Sequence, residues 1–290
     1  SAGGTGFIGK YLADKFTASG SRVIIISRNP EHISWKNITA IISSLEDADL
    51  LINLAGKSVD CRYNEKNKAE ILRSRTKTTT TLGEAILQCK NPPKRWIKAR
   101  TATIYRHAED RAMTEQEGEI GKGFSVEVAR SWEKSFFSFH PAATRQVALR
   151  MAIVLGRNGG VIKPLLNLVR FGLGGKQGNG NQMFSWIHLE DVFQIMLFIE
   201  KNPEIAGIYN CSSPNPVDNK TLMRTLRRFL KINIGLPTPV WLLKFGPLLI
   251  KTEPELILKS RWVVPEKLLM SGYSFRYPTL DSALQEIFHH

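Results

Sequence analysis

Cysteine is scarce in this 290-residue chain. Its three cysteines, Cys61, Cys89 and Cys211, are odd in number, far apart and without metal-ligand spacing. That excludes a disulfide framework and gives no zinc motif, so no metal site is expected and a reducing cytoplasm is the expected setting. Long apolar runs are also missing. The most apolar late stretch, Leu236 to Ile250, is interrupted by Pro237, Pro239, Lys244, Gly246 and Pro247, too broken for a membrane span, and none of the residues read as a signal peptide. Low-complexity tracts and long linkers are absent as well. Acidic residues are outnumbered by basic ones, 26 to 40, for a net charge of +14. Such an excess attracts polyanions without sequence preference. The lysines and arginines are dispersed, however, which disfavours a nucleic-acid partner.

What is present is ordinary for a globular protein, with 42% hydrophobic and 23% charged residues. The length suits one large domain with a smaller one appended. Gly3-Gly4-Thr5-Gly6-Phe7-Ile8-Gly9 runs directly into an amphipathic stretch from Tyr11 to Ser19, placing three glycines where a loop becomes a helix. Gly3 permits a tight turn, Gly6 lets backbone approach a pyrophosphate, and Gly9 lets the helix pack close to a strand. Phe7 and Ile8 bring the free N–H groups and positive end of the helix to the anion. Nineteen residues after Gly9, the apolar run Val23 to Ile26 closes in Ser27-Arg28. A dinucleotide fold reads the adenosine ribose at that point. A hydroxyl and a guanidinium suit a 2′-phosphate where an acid would suit a 2′-hydroxyl, so the expected cofactor is NADP(H). Such a loop should follow a buried strand. Only Ser1-Ala2 precede it, so the chain is expected to begin after its first strand.

Strand-like and helical stretches alternate through the first half. Strands are expected at Val23–Ser27, Thr39–Ile42, Leu50–Leu54, Arg95–Lys98 continuing to Tyr105, Gln146–Leu155 and near Ile208–Cys211. Helices are expected at about Asn64–Cys89, Phe124–Phe137 and Asp218–Leu230, with another after Phe184-Ser185-Trp186-Ile187-His188-Leu189-Glu190-Asp191-Val192. This is the pattern of an α/β, doubly wound parallel sheet. A Rossmann domain is expected over 1–160, and a mixed segment over 161–290 that completes the sheet and forms the other wall of the cleft.

These residues resemble the extended short-chain dehydrogenase/reductase superfamily through the opening glycine run, Asn53-Leu54-Ala55-Gly56 and Trp186-Ile187-His188-x-x-Asp191. They resemble more closely an atypical subgroup called epimerase family proteins. Its marks are Ser27-Arg28, Ser74-Arg75, Trp132-Glu133, Val154-Leu155-Gly156-Arg157 with Gly159-Gly160, and a C-terminal module over about 236–288 marked by Val263-Val264-Pro265 and Gly272-Tyr273-Ser274-Phe275. The resemblance implies that Gly3, Gly6, Phe7, Ile8 and Gly9 hold the pyrophosphate and Ser27 and Arg28 the 2′-phosphate. It places Leu54 and Ala55 on the adenosine and ribose side, Glu70 and Arg75 facing the cofactor, and Val154 near the nicotinamide. A solvated helix face is the ordinary role of a pair like Glu70 and Arg75.

Catalysis departs from the pattern. Superfamily enzymes use Tyr-x-x-x-Lys as a proton relay. Counting back from Glu133, Ser125 and Ala129 occupy those two positions, and no other such motif lies between Tyr105 and Gly160. Substitutes are Thr101 and Thr103 at a strand end, Tyr105 on the following loop, and Glu133. Each also has an ordinary structural role, as does His188. The expectation is an NADP(H)-binding oxidoreductase or nucleotide-sugar epimerase-like protein acting on an unidentified small molecule, as a monomer or homodimer. A non-enzymatic NADPH sensor with a protein partner is the alternative, and an RNA-binding role follows only from the charge.

Overall fold

The computed structural model describes residues 1–57, 64–157, 159–239 and 259–289. Cys61 and residues 240–250 of the apolar late stretch lie outside them. The glycine loop passes into α1 (Phe7–Ala18), which starts four residues before Tyr11. Two short strands follow, β1 (Ile26–Ser27) and β2 (Ile33–Ser34), then α2 (Ile38–Leu45) and β3 (Leu50–Asn53). After α3 (Glu65–Gln88) come β4 (Arg95–Thr101), a single 3-10 turn at Ala102–Ile104, α4 (Phe124–Phe137), β5 (Arg145–Met151) and β6 (Ile153–Leu155). The second part contains α5 (Ile162–Arg170), β7 (Met183–Phe184), β8 (Trp186–His188), α6 (Leu189–Lys201), β9 (Gly207–Cys211), β10 (Val217–Asp218), α7 (Asn219–Leu230), α8 (Glu266–Met270) and α9 (Leu280–His289).

The central sheet runs β3-β4-β5-β9, all parallel. Ala2 joins it to β1 and β2, bridging Ile26 on one side and Asn53 on the other. One face buries Leu12 and Phe16 of α1 against Val192, Ile195, Met196 and Ile199 of α6. The other buries Ile41, Leu82, Ile86 and Phe136 from α2, α3 and α4 around Trp96. Helices on both faces of a parallel sheet make the doubly wound α/β fold expected from the alternation. A third core joins α5, α7 and α9 beyond the sheet.

The strand expected over Val23–Ser27 is confined to Ile26–Ser27, the pair in register with Ile33 and Ser34 of β2, and three further boundaries differ from expectation. Thr39–Ile42 is helical, because Asn37 caps the stretch by accepting the Ala40 N–H, and Ile38, Ile41, Ile42 and Leu45 form a helical stripe. The strand from Arg95 ends at Thr101, where the Thr101 hydroxyl accepts the Thr103 N–H and turns the chain into the 3-10 segment. The run Gln146–Leu155 divides at Ala152: β5 pairs with β9, whereas β6 pairs with β8.

Candidate functional site

The glycine loop is threaded between two strands before it turns. Ala2 N–H donates to Ile52 O (2.8 Å), Leu54 N–H to Ala2 O (2.8 Å), and Gly3 N–H to Ile26 O (2.9 Å). Gly3 has φ +76°, and a Cβ there would lie 2.7 Å from Ala55 backbone. A Cβ at Gly9 would lie 2.6 Å from Gly4 Cα. Both positions therefore require glycine, for left-handed backbone and for close approach. Gly6 differs, since a Cβ there would meet nothing within 4 Å. Gly6 is also the N-cap of α1, with no side-chain cap bond and no acid in the first turn. The N–H groups of Phe7, Ile8 and Gly9 precede the first helical bond, Lys10 N–H to Gly6 O, and the positive dipole end lies behind them. Phe7 turns inward onto Gly156, Gly159 and Gly160, where added Cβ atoms would lie 2.8, 2.5 and 3.3 Å from its ring. The glycines after β6 exist to seat that ring.

Ser27 and Arg28 close β1. The buried Ser27 hydroxyl accepts the Asn29 N–H (2.9 Å) and contacts His32 Nδ1 (3.0 Å), while Arg28 is exposed and makes no ion pair among the described residues. At the end of β3, Ala55 N–H is held by Asn53 Oδ1 (3.0 Å) and Gly56 lies against the Arg75 side chain. Glu70 binds Lys57 Nζ (2.6 Å), which also reaches Asn67, and Lys57 N–H donates to Ser74 Oγ (3.0 Å). The lysine holds the Glu70 carboxyl below its ordinary value. Val154 sits in β6 opposite Ile187, its carbonyl close against Gly160.

The candidate proton-transfer groups are tied differently. Tyr105 is 1% exposed; its hydroxyl donates to Asn210 Oδ1 (2.9 Å) and accepts from Arg150 Nη1 (2.8 Å). Burial pushes the phenol pKa up against the opposing pull of Arg150. Both Glu133 oxygens are taken by the same arginine, at 2.8 Å from Nε and 2.9 Å from Nη2. Thr103 Oγ1 accepts from Arg261 Nε (3.3 Å) and its carbonyl from Lys259 Nζ (2.8 Å). Thr101 accepts the Thr103 N–H, and its own hydroxyl proton is given to none of the described residues. Ser125 and Ala129 share the inward face of α4 with Trp132 and Phe136.

Two acids at the start of α6 hold the site together, and sequence reading left them without a role. Glu190 accepts from the Tyr11 hydroxyl, from Lys15 Nζ (2.8 Å) and from Gln194 Nε2 (2.8 Å), joining α1 to α6. Asp191, 0% exposed, accepts the backbone N–H groups of Arg276 (2.8 Å) and Tyr277 (2.9 Å) and the Tyr273 hydroxyl (3.1 Å). His188 accepts the Glu190 N–H at Nδ1 (3.2 Å), leaving Nε2 to donate to Glu286 (3.0 Å), and burial lowers its pKa. The signal was present in the spacing His188-x-Glu190-Asp191 at a helix start, where acids complement the dipole. Among the described residues no group of three or more His, Cys, Asp or Glu could hold a metal, and no helix is long and apolar enough to cross a membrane.

Comparison with known proteins matches these features to one family. The model of the NAD dependent epimerase/dehydratase family matches residues 2–212, and that of a domain of unknown function, DUF1731, matches 238–287. Epimerase family protein YfhF of Bacillus subtilis is 34% identical over 98% of this chain and 96% of its own length. Human epimerase family protein SDR39U1 is 32% identical over 98% of this chain and 97% of its own. A crystal structure of the human protein with NADPH superposes with a TM-score of 0.89 at 30% identity, covering 100% of this chain and 98% of that one. UDP-N-acetylglucosamine 4-epimerase from Bacillus cereus shares the fold, with a TM-score of 0.77 at 17% identity over 99% of this chain and 93% of that one. With the glycine loop, the doubly wound sheet and the C-terminal module in the same order, the chain belongs to the NAD-dependent epimerase/dehydratase family.

Proposed function

We propose that this protein binds NADP(H) across the carboxyl ends of its strands and acts as an oxidoreductase or epimerase-like enzyme on a small carbonyl or sugar-type substrate. The observation that carries the reading is the open, uncapped start of α1: a Cβ at Gly6 would meet nothing, and the first turn holds no acid. A pyrophosphate fits such a helix end by charge and by hydrogen bonding. Exposed Arg28 supports a 2′-phosphate next to Ser27, and the human relative's structure with NADPH is consistent with that choice. Leu54 and Ala55 line the adenosine and ribose side, Glu70 and Arg75 border it, and Val154 lies toward the nicotinamide. Bound NADPH would supply hydride to a carbonyl carbon, and water would supply the proton that the resulting alkoxide takes up. Thr101, whose hydroxyl proton has no acceptor among the described residues, is the group that polarises the substrate oxygen. Calorimetric titration with NADPH and NADH, followed by single-turnover oxidation of bound NADPH against a carbonyl panel, tests the reading. Absence of NADPH binding would end it.

A second reading is favoured by one observation. Tyr105 and Glu133 are both held by Arg150, so neither is poised to move a proton. A protein that binds NADPH without turning it over, and reports its presence to a protein partner, needs no such group. Turnover abolished in Thr101→Val supports the enzyme; NADPH binding with no turnover on any substrate supports the sensor.

A further inference from the structure

Two segments that meet beyond the sheet carry positive charge with nothing to balance it. Residues 161–181 hold three Lys or Arg, residues 219–239 hold five, and neither contains an Asp or Glu. Their helices turn Leu165, Leu166 and Val169 of α5, and Leu222, Met223 and Leu226 of α7, into the third core. Helical spacing then leaves Arg170, Arg224 and Arg228 outside. Of these, Arg228 pairs with Asp281 on α9. Lys176 and Lys220 come together at Gly180, where an added Cβ would lie 2.9 Å from Lys176 Cβ and 2.6 Å from Lys220 Cγ.

The segments join along a seam at the ends of both helices. Leu236 N–H donates to Gly172 O (2.8 Å), and Gly175 N–H to Leu236 O (3.1 Å). Arg227 braces the junction: its Nη1 donates to Asn233 O (3.3 Å), and added Cβ atoms at Gly174 and Gly235 would lie 3.1 and 2.5 Å from its side chain. The chain leaves α5 through Gly172 at φ +77° and α7 through Lys231 at φ +55°, so both turns are sharply defined. Three large apolar side chains stand out from this seam. Phe171 is 77% exposed, Ile234 67% and Leu236 58%. Cations in the last turn of a helix answer its dipole, but that role gives no reason for apolar side chains turned outward beside them. Single exposed apolar residues are ordinary, whereas three on one seam bordered by cations form a contact surface.

We propose that the seam formed by Phe171, Ile234 and Leu236, with its bordering cations, seats this protein on an anionic lipid surface. The cations are drawn to negative headgroups and the three side chains enter the boundary with the acyl layer, as in proteins that lie on a bilayer without spanning it. Hydrogen bonds across the seam hold the apolar side chains at fixed spacing, so little freedom is lost on contact. A second copy of the chain fits less well, because a two-fold contact would set positive charge against positive charge. Nucleic acid would use the cations but leaves the aliphatic Ile234 and Leu236 without a role. An acidic protein would have to supply pockets for three separate side chains, which a fluid acyl layer does without.

Cosedimentation of the full chain with vesicles tests the assignment. Vesicles of equimolar phosphatidylcholine and phosphatidylglycerol should bind it about tenfold or more tightly than phosphatidylcholine alone. Phe171→Ser/Ile234→Ser should weaken that binding about tenfold or more with the circular dichroism spectrum unchanged, since both side chains are exposed. Arg224→Gln/Lys231→Asn should also weaken it, asparagine being chosen because it tolerates the left-handed backbone. No binding, or equal binding to both vesicle types, overturns the proposal. So does binding that survives either pair of substitutions, which would be adsorption of a chain of net charge +14 at large. Retention of short DNA, or a dimer in lipid-free solution, that is lost in Phe171→Ser/Ile234→Ser would assign the seam to nucleic acid or to a second copy and overturn the lipid reading.

Discussion

Phe7 and Gly159 are mutually required: the Phe7 ring fills the space that a side chain at Gly159 would take, so closely that a Cβ would lie 2.5 Å from Phe7 Cδ2. One residue belongs to the glycine loop and the other to the turn after β6, 152 positions apart in the chain. Gly159→Ala should push Phe7 and the start of α1 out of place. Overpacking of about 1–2 kcal/mol delivered to the loop weakens NADPH binding about tenfold or more. Calorimetry on the variant checks this, with circular dichroism to confirm the fold; unchanged affinity would separate the Phe7 seat from the nucleotide site.

On the proposed reading, cofactor choice rests on Arg28. Its charge-assisted contact with a 2′-phosphate, partly exposed, is worth about 1–2 kcal/mol, a preference for NADPH over NADH of about tenfold. Arg28→Ala should bring the two affinities together while leaving NADH binding where it was. A preference that survives the substitution would place 2′-phosphate recognition elsewhere.

Tyr105, Arg150 and Glu133 should answer to substitution as a structural network. Tyr105→Phe deprives Arg150 of an acceptor and Asn210 of a donor, at a cost of about 1–3 kcal/mol in unfolding free energy. NADPH affinity and any turnover should be retained. Thr101→Val should cost a comparable amount, about 0.5–2 kcal/mol, because it removes the cap on the Thr103 N–H. It should also reduce turnover by about 10²-fold, the range seen when one donor to a reacting oxygen is removed. Urea unfolding and single-turnover kinetics on both variants distinguish these outcomes.

His188 should make stability depend on pH. Burial lowers its folded-state pKa below the unfolded value of 6.5, although Glu286 pulls the other way. Above that value the imidazole is neutral in both states. As the pH falls below 6.5 the unfolded chain takes up the proton first, so His188 lowers stability until the folded-state pKa is passed. Urea unfolding between pH 7.5 and 5 should show a steeper fall for the wild type than for His188→Asn, which keeps an acceptor for the Glu190 N–H. Parallel profiles would assign the pH dependence to other groups.

Much of this was legible from residue order. Helices such as Phe124–Phe137 follow from apolar spacing, and the roles of Gly3 and Gly9 follow from what only glycine can do. Thr39–Ile42 misled because four apolar or β-branched residues suit a strand until Asn37 is recognised as a cap. The burial of Lys98 and Arg100 on β4 was hidden for a different reason. Trp-x-Lys-x-Arg alternation normally marks a strand with one wet face, and only the packing of α3 and α4 over that face makes the interior position evident. Likewise Tyr105 and Glu133 looked available until Arg150, 45 and 17 residues away, was found between them.

The grip of Asp191 on the C-terminal module has an evolutionary corollary. Its two shortest bonds there are to main-chain N–H groups, at Arg276 and Tyr277, and every amino acid except proline offers the same N–H. The dock therefore reads chain path first, and proline is the residue that neither position can accept without losing a bond. The side chains add a second layer that tolerates change less evenly, Arg276 3.6 Å from Glu190 at the exposed edge and the Tyr277 ring 4.2 Å from that of His188.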